Sequence, residues 1–186
     1  MKGNVALVTT VLALAGTVFA VPAAAAAPCT TGTWRLTKAD LTVRQSTTRL
    51  RIVGGKGATL TLGGGRAVHR YAGSARLTET GTSGGAAVTG WLRYRGTLRM
   101  KAKITGSRLV GTISSASGNA TLKLRQTAPL SLDPAPRNLA ALLKAGEFTG
   151  VPDNAKITCS TTSLKLHQTD TTSSGTLKAT WTYRRA

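Results

Sequence analysis

The chain has 186 residues, and its 25 Lys and Arg against six Asp and Glu give a formal charge of +19. Such an excess points to anionic polymers or surfaces as partners and leaves the fold undecided. Eight aromatic residues and two histidines offer little for base stacking or metal ligation, so neither specific nucleic-acid binding nor a metal site is expected.

The opening residues read as an export signal. Lys2 supplies a positive start, Val5 to Ala20 an apolar run and Ala23 to Ala27 a small-residue cleavage region. Cleavage after Ala25 or Ala26 gives a signal peptide at residues 1–26 and one domain at 27–186, about 160 residues and enough for a single core. A retained membrane anchor is the rival reading, but Thr9, Thr10 and Gly16 interrupt the run and Pro22 ends it. Pro28 stands where a lipoprotein signal wants a small residue before its cysteine, so a soluble, secreted, extracellular protein is expected. There, an even cysteine count favours one disulfide between Cys29 and Cys159, with two unpaired buried thiols as the alternative.

Beyond the leader the dominant pattern is period two. Leu50 and Ile52 alternate with Arg49 and Arg51, and Leu60 and Leu62 follow the Gly54-Gly55-Lys56-Gly57 turn, which reads as two hairpin arms. Ala67, His69 and Tyr71 share one parity and Arg66, Val68 and Arg70 the other. If the arginines face water, His69 and Tyr71 point inward, where they suit either a ligand site (a buried His can also hold haem) or a hydrogen-bonded core.

The clearest strand runs from Leu92 to Thr105. Leu92, Tyr94, Gly96, Leu98, Met100, Ala102 and Ile104 alternate with a stripe that carries Arg93, Arg95, Arg99, Lys101 and Lys103, and Gly96 marks a bulge or bend. Leu109, Gly111 and Ile113 then lead through Ser117-Gly118-Asn119 to Ala120, Leu122 and Leu124. Pro134 and Pro136 ahead of Leu139, Ala140, Leu142 and Leu143, with Gly146 after them, predict one short helix. Ile157 to Leu166 pairs with Leu177, Ala179, Trp181 and Tyr183 to close the chain, and His167, beside Lys165, faces water. These segments predict an all-β fold: a single antiparallel up-and-down β-barrel of about 8–10 strands with one short helix before the last hairpin, a sandwich being the alternative.

Both ends of this pattern resemble the lipocalin-like (calycin) barrels. Gly32-Thr33-Trp34 opens the first strand as that family's G-x-W does, and Trp181-Thr182-Tyr183-Arg184-Arg185 ends the last strand. The resemblance implies that Trp34 packs at the closed end of the barrel beneath Arg184 or Arg185. The chain departs from the family in that Thr169-Asp170-Thr171 is a poor T-D-Y element and no helix follows the barrel.

Two fragments imitate hydrolases. Ile52-Val53-Gly54-Gly55 and Gly81-Thr82-Ser83-Gly84-Gly85 look like trypsin-type segments, yet they lie too close together and Thr82 stands where an Asp should precede Ser83. The second also fits G-x-S-x-G, with Ser83, Asp133 or Asp153, and His167 in the chain order of α/β-hydrolases, but a strand and not a helix is predicted after it. No catalytic residue, metal ligand or cofactor pattern is therefore assigned. The expected function is a non-enzymatic secreted barrel that binds a small apolar ligand inside, or an anionic extracellular polymer or membrane surface through its basic exterior. An extracellular inhibitor or structural interaction protein acting through a loop is the alternative.

Overall fold

The computed structural model describes residues 31–186 apart from residue 174, so the predicted leader, its predicted cleavage region and Cys29 lie outside the described residues. In chain order the elements are β1 (Gly32–Gln45), β2 (Thr48–Gly54), β3 (Thr59–Gly63), β4 (Arg66–Arg70), β5 (Leu77–Ser83), β6 (Ala86–Arg95) and β7 (Thr97–Thr105). They continue with β8 (Arg108–Gly118), β9 (Thr121–Ala128), β10 (Arg137–Asn138), α1 (Leu139–Lys144), β11 (Asn154–Cys159), β12 (Ser163–Thr172) and β13 (Gly175–Arg185). All pairings are antiparallel, and the fold is an all-β barrel with one short helix.

The register shows why so many strands make an eight-stranded ring. Residues 32–35 of β1 pair with β3, and residues 39–45 of the same strand pair with β2. Between them the Leu36 amide donates to the Ala58 carbonyl at 2.7 Å and the Gly57 amide to the Leu36 carbonyl at 2.9 Å, so the ladder never breaks. Thus β2 and β3 are halves of one long strand, and Gly54-Gly55-Lys56-Gly57 bends it where the sequence predicts a reversal. The pairs β4 with β5, β6 with β7 and β8 with β9 are broken in the same way. Glycine allows the bend between the last two: a Cβ on Gly96 would sit 2.6 Å from the Asn119 carbonyl and one on Gly118 2.2 Å from the Thr97 carbonyl. True reversals fall at Gly64-Gly65 and Gly84-Gly85, where both residues have positive φ as a two-residue primed turn requires.

On one side of these bends the ring closes as β1-β3-β4-β7-β8-β11-β12-β13. On the other, β2, β5, β6, β9 and the short β10 continue from β1, and among the described residues no strand joins this edge to β12. The intervening stretch is covered by α1 and segment 146–153, anchored at one end by the Leu139 amide on the Ala120 carbonyl and at the other by the Asp153 amide on Gln168. The helix is where the prolines and leucines predict it, and the Asn138 side chain caps it by accepting from the Ala141 amide at 3.0 Å. Leu139, Ala140, Leu142 and Leu143 are buried and plug that end of the barrel. Side chains of one parity fill the interior, among them Leu41, Leu60, Leu98, Leu109, Leu164 and Leu166, each worth about 1.5–3 kcal/mol of burial.

Two further sequence readings need correction. Ile157 to Leu166 is not one strand: the Ser160 hydroxyl accepts from the Thr162 and Ser163 amides, which turns the chain between β11 and β12. Ile113 also does not continue the inward row of Leu109. The ladder slips between Arg99 and Lys101, the Ser115 hydroxyl takes the Lys101 amide at 2.8 Å, and Ala116 goes inside while Ile113 is left 36% exposed.

Cys159 ends β11 on the rim where β1 begins, because Cys159 pairs with Leu164, Leu164 with Tyr183 and Tyr183 with Leu36. A bond from Cys29, just ahead of β1, would fasten the start of that strand to this rim. Intact-mass analysis of the native protein should show the increase of one opened disulfide on reduction, and two thiols in native material would refute the pairing.

Candidate functional site

The predicted basic stripe lies on the outer face. Arg95, Arg99, Lys101 and Lys103 are exposed and Arg93 is half-buried, while Leu92, Tyr94, Leu98, Met100 and Ala102 point inside. The pairing of β4 with β7 widens the stripe, since Arg66 stands directly opposite Lys101 and Arg70 opposite Thr97. Arg93 stands opposite Lys123. Successive outward residues on a strand are ~6.5–7 Å apart and directly opposed ones ~5 Å, inside a Debye length of about 8 Å.

Among the described residues the acids pair away from the β4 and β7 part of the patch, and one of them, Asp133, meets its edge at Lys123. Asp40 sits between Lys38 at 3.2 Å and Arg51 at 2.8 Å, Asp133 binds Lys123 at 2.9 Å, and Glu147 is held by Arg137. The hydrogen bond and charge of Arg51 hold the Asp40 carboxyl below its usual range. Glu79 is buried on the inner side of β5, and burial pushes its carboxyl upward. No ion pair among the described residues involves Arg66, Arg70, Arg95, Arg99, Lys101 or Lys103.

At the end of the barrel where β1 begins, Trp34 is fully buried, and the Arg185 guanidinium carbon lies 4.8 Å from its ring centroid. Arg185 also donates to the Thr31 carbonyl at 3.2 Å. This accounts for Gly32, whose φ is +122° and whose missing Cβ would fall 2.8 Å from that guanidinium. Arg184 is not part of the stack; it points outward opposite Ser163 and Arg35.

His69 and Tyr71 are both buried and face the interior. His69 stacks on Tyr71 at 6.2 Å and Tyr71 on Tyr94 at 5.0 Å, and the Tyr94 hydroxyl donates to the Thr149 carbonyl at 2.6 Å. Burial holds the His69 imidazole down at about 4 and pushes all three tyrosine hydroxyls, Tyr71, Tyr94 and Tyr183, upward. His69 Nε2 has no hydrogen-bond partner. Only about 30 Å³ is free beside this stack, between Leu36, Ala58, Pro152 and Tyr183, which is room for little more than a water.

The hydrolase look-alikes are not assembled. Ser83 ends β5 on a hydroxyl pair with Thr48, while His167 is on the outer face of β12 against Thr180. Those strands are four steps apart in the sheet, about 19 Å. Asp153 lies on the other side of β12, bound to the inward-facing Gln168.

Two features have no counterpart in the sequence reading. One is a cleft of about 380 Å³ at the end opposite Trp34, between the ends of β1, β12 and β13 and segment 146–153. Its signal in the sequence is the inward row Leu164, Leu166, Gln168, Asp170, which turns from apolar to polar along β12. The other is the loop after β9, closed by two backbone bonds between Gln126 and Leu132, which exposes Leu130 (68%) and Leu132 (51%). Compared with known proteins, the chain matches no family model, no curated protein and no solved structure.

Proposed function

We propose that this is a non-enzymatic secreted barrel that binds an anionic extracellular polymer through the outer face of β4, β6 and β7. The carrying observation is that Arg66, Arg70, Arg95, Arg99, Lys101 and Lys103 on this exposed face form no ion pair among the described residues. An apolar ligand inside the barrel has less support, because side chains fill the interior beside His69 and Tyr71. The stack of Arg185 on Trp34 supports placing the chain with the lipocalin-like barrels, by architecture and not by ligand.

The test is a polyanion-binding titration with Arg95, Arg99 and Lys101 replaced together by Ser. All three side chains face water, so the fold should be retained. Affinity should fall about tenfold or more, and the slope of log affinity against log salt should flatten by about two to three. Affinity that survives the substitutions, or ignores salt, would overturn the reading and favour an interaction protein acting through the loop that exposes Leu130 and Leu132, the second reading that the structure supports.

A further inference from the structure

We propose that the cleft at the end opposite Trp34 binds a small organic cation with an apolar portion, with Asp153 and Asp170 as the residues that recognise its charge. The inference is independent of the basic exterior and rests on two separate features of the cleft, its shape and its charge.

The shape is that of a small-molecule site: about 380 Å³, walled by Val43, Ile113, Phe148, Leu177 and Trp181, with Phe148 43% exposed. The charge is contrary to the rest of the molecule. Glu147, Asp153 and Asp170 line the cleft, half of the six acids, whereas no Lys, Arg or His among the described residues does so. Glu147 is already occupied by Arg137. Asp153 and Asp170 have no ion pair among the described residues.

Those two carboxylates are held in place by one amide. Gln168 Nε2 donates to Asp153 at 2.6 Å and to Asp170 at 2.7 Å, and its carbonyl oxygen accepts the Asp153 and Asn154 amides at 3.2 and 3.3 Å. Every donor and acceptor of the buried Gln168 side chain is engaged, so the amide cannot turn over without losing all four bonds. Among the described residues no donor is placed on the second oxygen of either carboxylate. Two like charges on one amide nitrogen attract a cation, repel an anion and gain nothing from a neutral apolar guest.

A metal ion fits less well. Calcium takes six to eight oxygens, and no group of three or more His, Cys, Asp or Glu suited to a metal exists among the described residues. An ammonium needs only two or three acceptors at one end and an apolar wall for its chain, and the cleft offers both.

Calorimetric titration with hexylammonium, hexanol and hexanoate, which differ only in the head group, tests the proposal on the full native protein. Hexylammonium should bind roughly tenfold to hundredfold more tightly than hexanol, and hexanoate more weakly still. Asp153→Asn with Asp170→Asn should abolish the preference while leaving hexanol unchanged, and Leu177→Trp, which fills the cleft, should weaken both. If the double variant fails to fold, Asp170→Asn alone must reduce the preference. Equal affinity for the three probes, binding of none, or displacement of hexylammonium by calcium chloride at matched concentration would each overturn the proposal.

Discussion

Trp34→Ala should lower the unfolding free energy by about 3–5 kcal/mol, as large aromatic deletions from well-packed cores do. The indole is fully buried at the start of β1, where its strand pairs with β3 on one side and β13 on the other. It therefore fills the end of the ring at the seam between the first and last strands. The Arg185 guanidinium covers it, and that arginine is fixed by the Thr31 carbonyl, so the truncation would open a cavity and remove the aromatic face of a cation–π contact. Trp34→Phe should cost clearly less, since Nε1 has no hydrogen-bond partner to lose. Chemical denaturation of the variants measures both, and a change near zero for Trp34→Ala would show that this end of the barrel does not depend on the stack.

Acidification should destabilise the protein through His69. Its imidazole is held at about 4 in the folded barrel by burial, against 6.5 when free, so between these values the unfolded chain binds a proton that the folded one does not. The stabilisation is complete above about pH 6.5 and is lost as the pH falls towards 4, amounting to about 3 kcal/mol over that window. Neither Tyr71 nor Tyr94, which share the stack, titrates there. Glu79 acts in the opposite sense: its raised carboxyl favours the folded state at low pH and that contribution is lost as the pH rises. The contrast between wild type and His69→Gln isolates the histidine. The variant should lack most of the decline between pH 6.5 and 4, and matching pH profiles would refute the assignment.

What could be read from the sequence was what alternation encodes. From Leu92 to Ala102 every even position is apolar or glycine and most odd ones basic, and a pleated strand converts that directly into an inner and an outer face. The short helix was legible because the prolines, leucines and glycine act locally. Apart from the bend at Gly96, the strand breaks were not, because glycine-rich text reads alike whether a strand reverses or bends. Only pairing with β1, far away in sequence, decides that Gly54-Gly55-Lys56-Gly57 bends. Ile113 is exposed for a similar reason: Ser115 takes a ladder amide from a neighbouring strand, which no local pattern announces. The cleft is assembled from β1, β8, β12, β13 and segment 146–153, and of its carboxylates Glu147 and Asp153 lie on that segment while Asp170 lies on β12. Its charge becomes visible only when Gln168 draws Asp153 to Asp170.

The seam between β1 and β13 also bears on how quickly the barrel forms. Most of the other strand pairs are between near neighbours along the chain, but this ladder joins Trp34 to Arg185 and runs on through ten residue pairs. Its loop-closure entropy must be met before most of its contacts form, and contacts of long sequence separation slow folding. The meander from β2 to β9 can zip from its tight turns while the ends are still apart. Closing the ring is then the late, rate-setting event, and stabilising the seam would slow the opening of the finished barrel more than it would hasten its assembly.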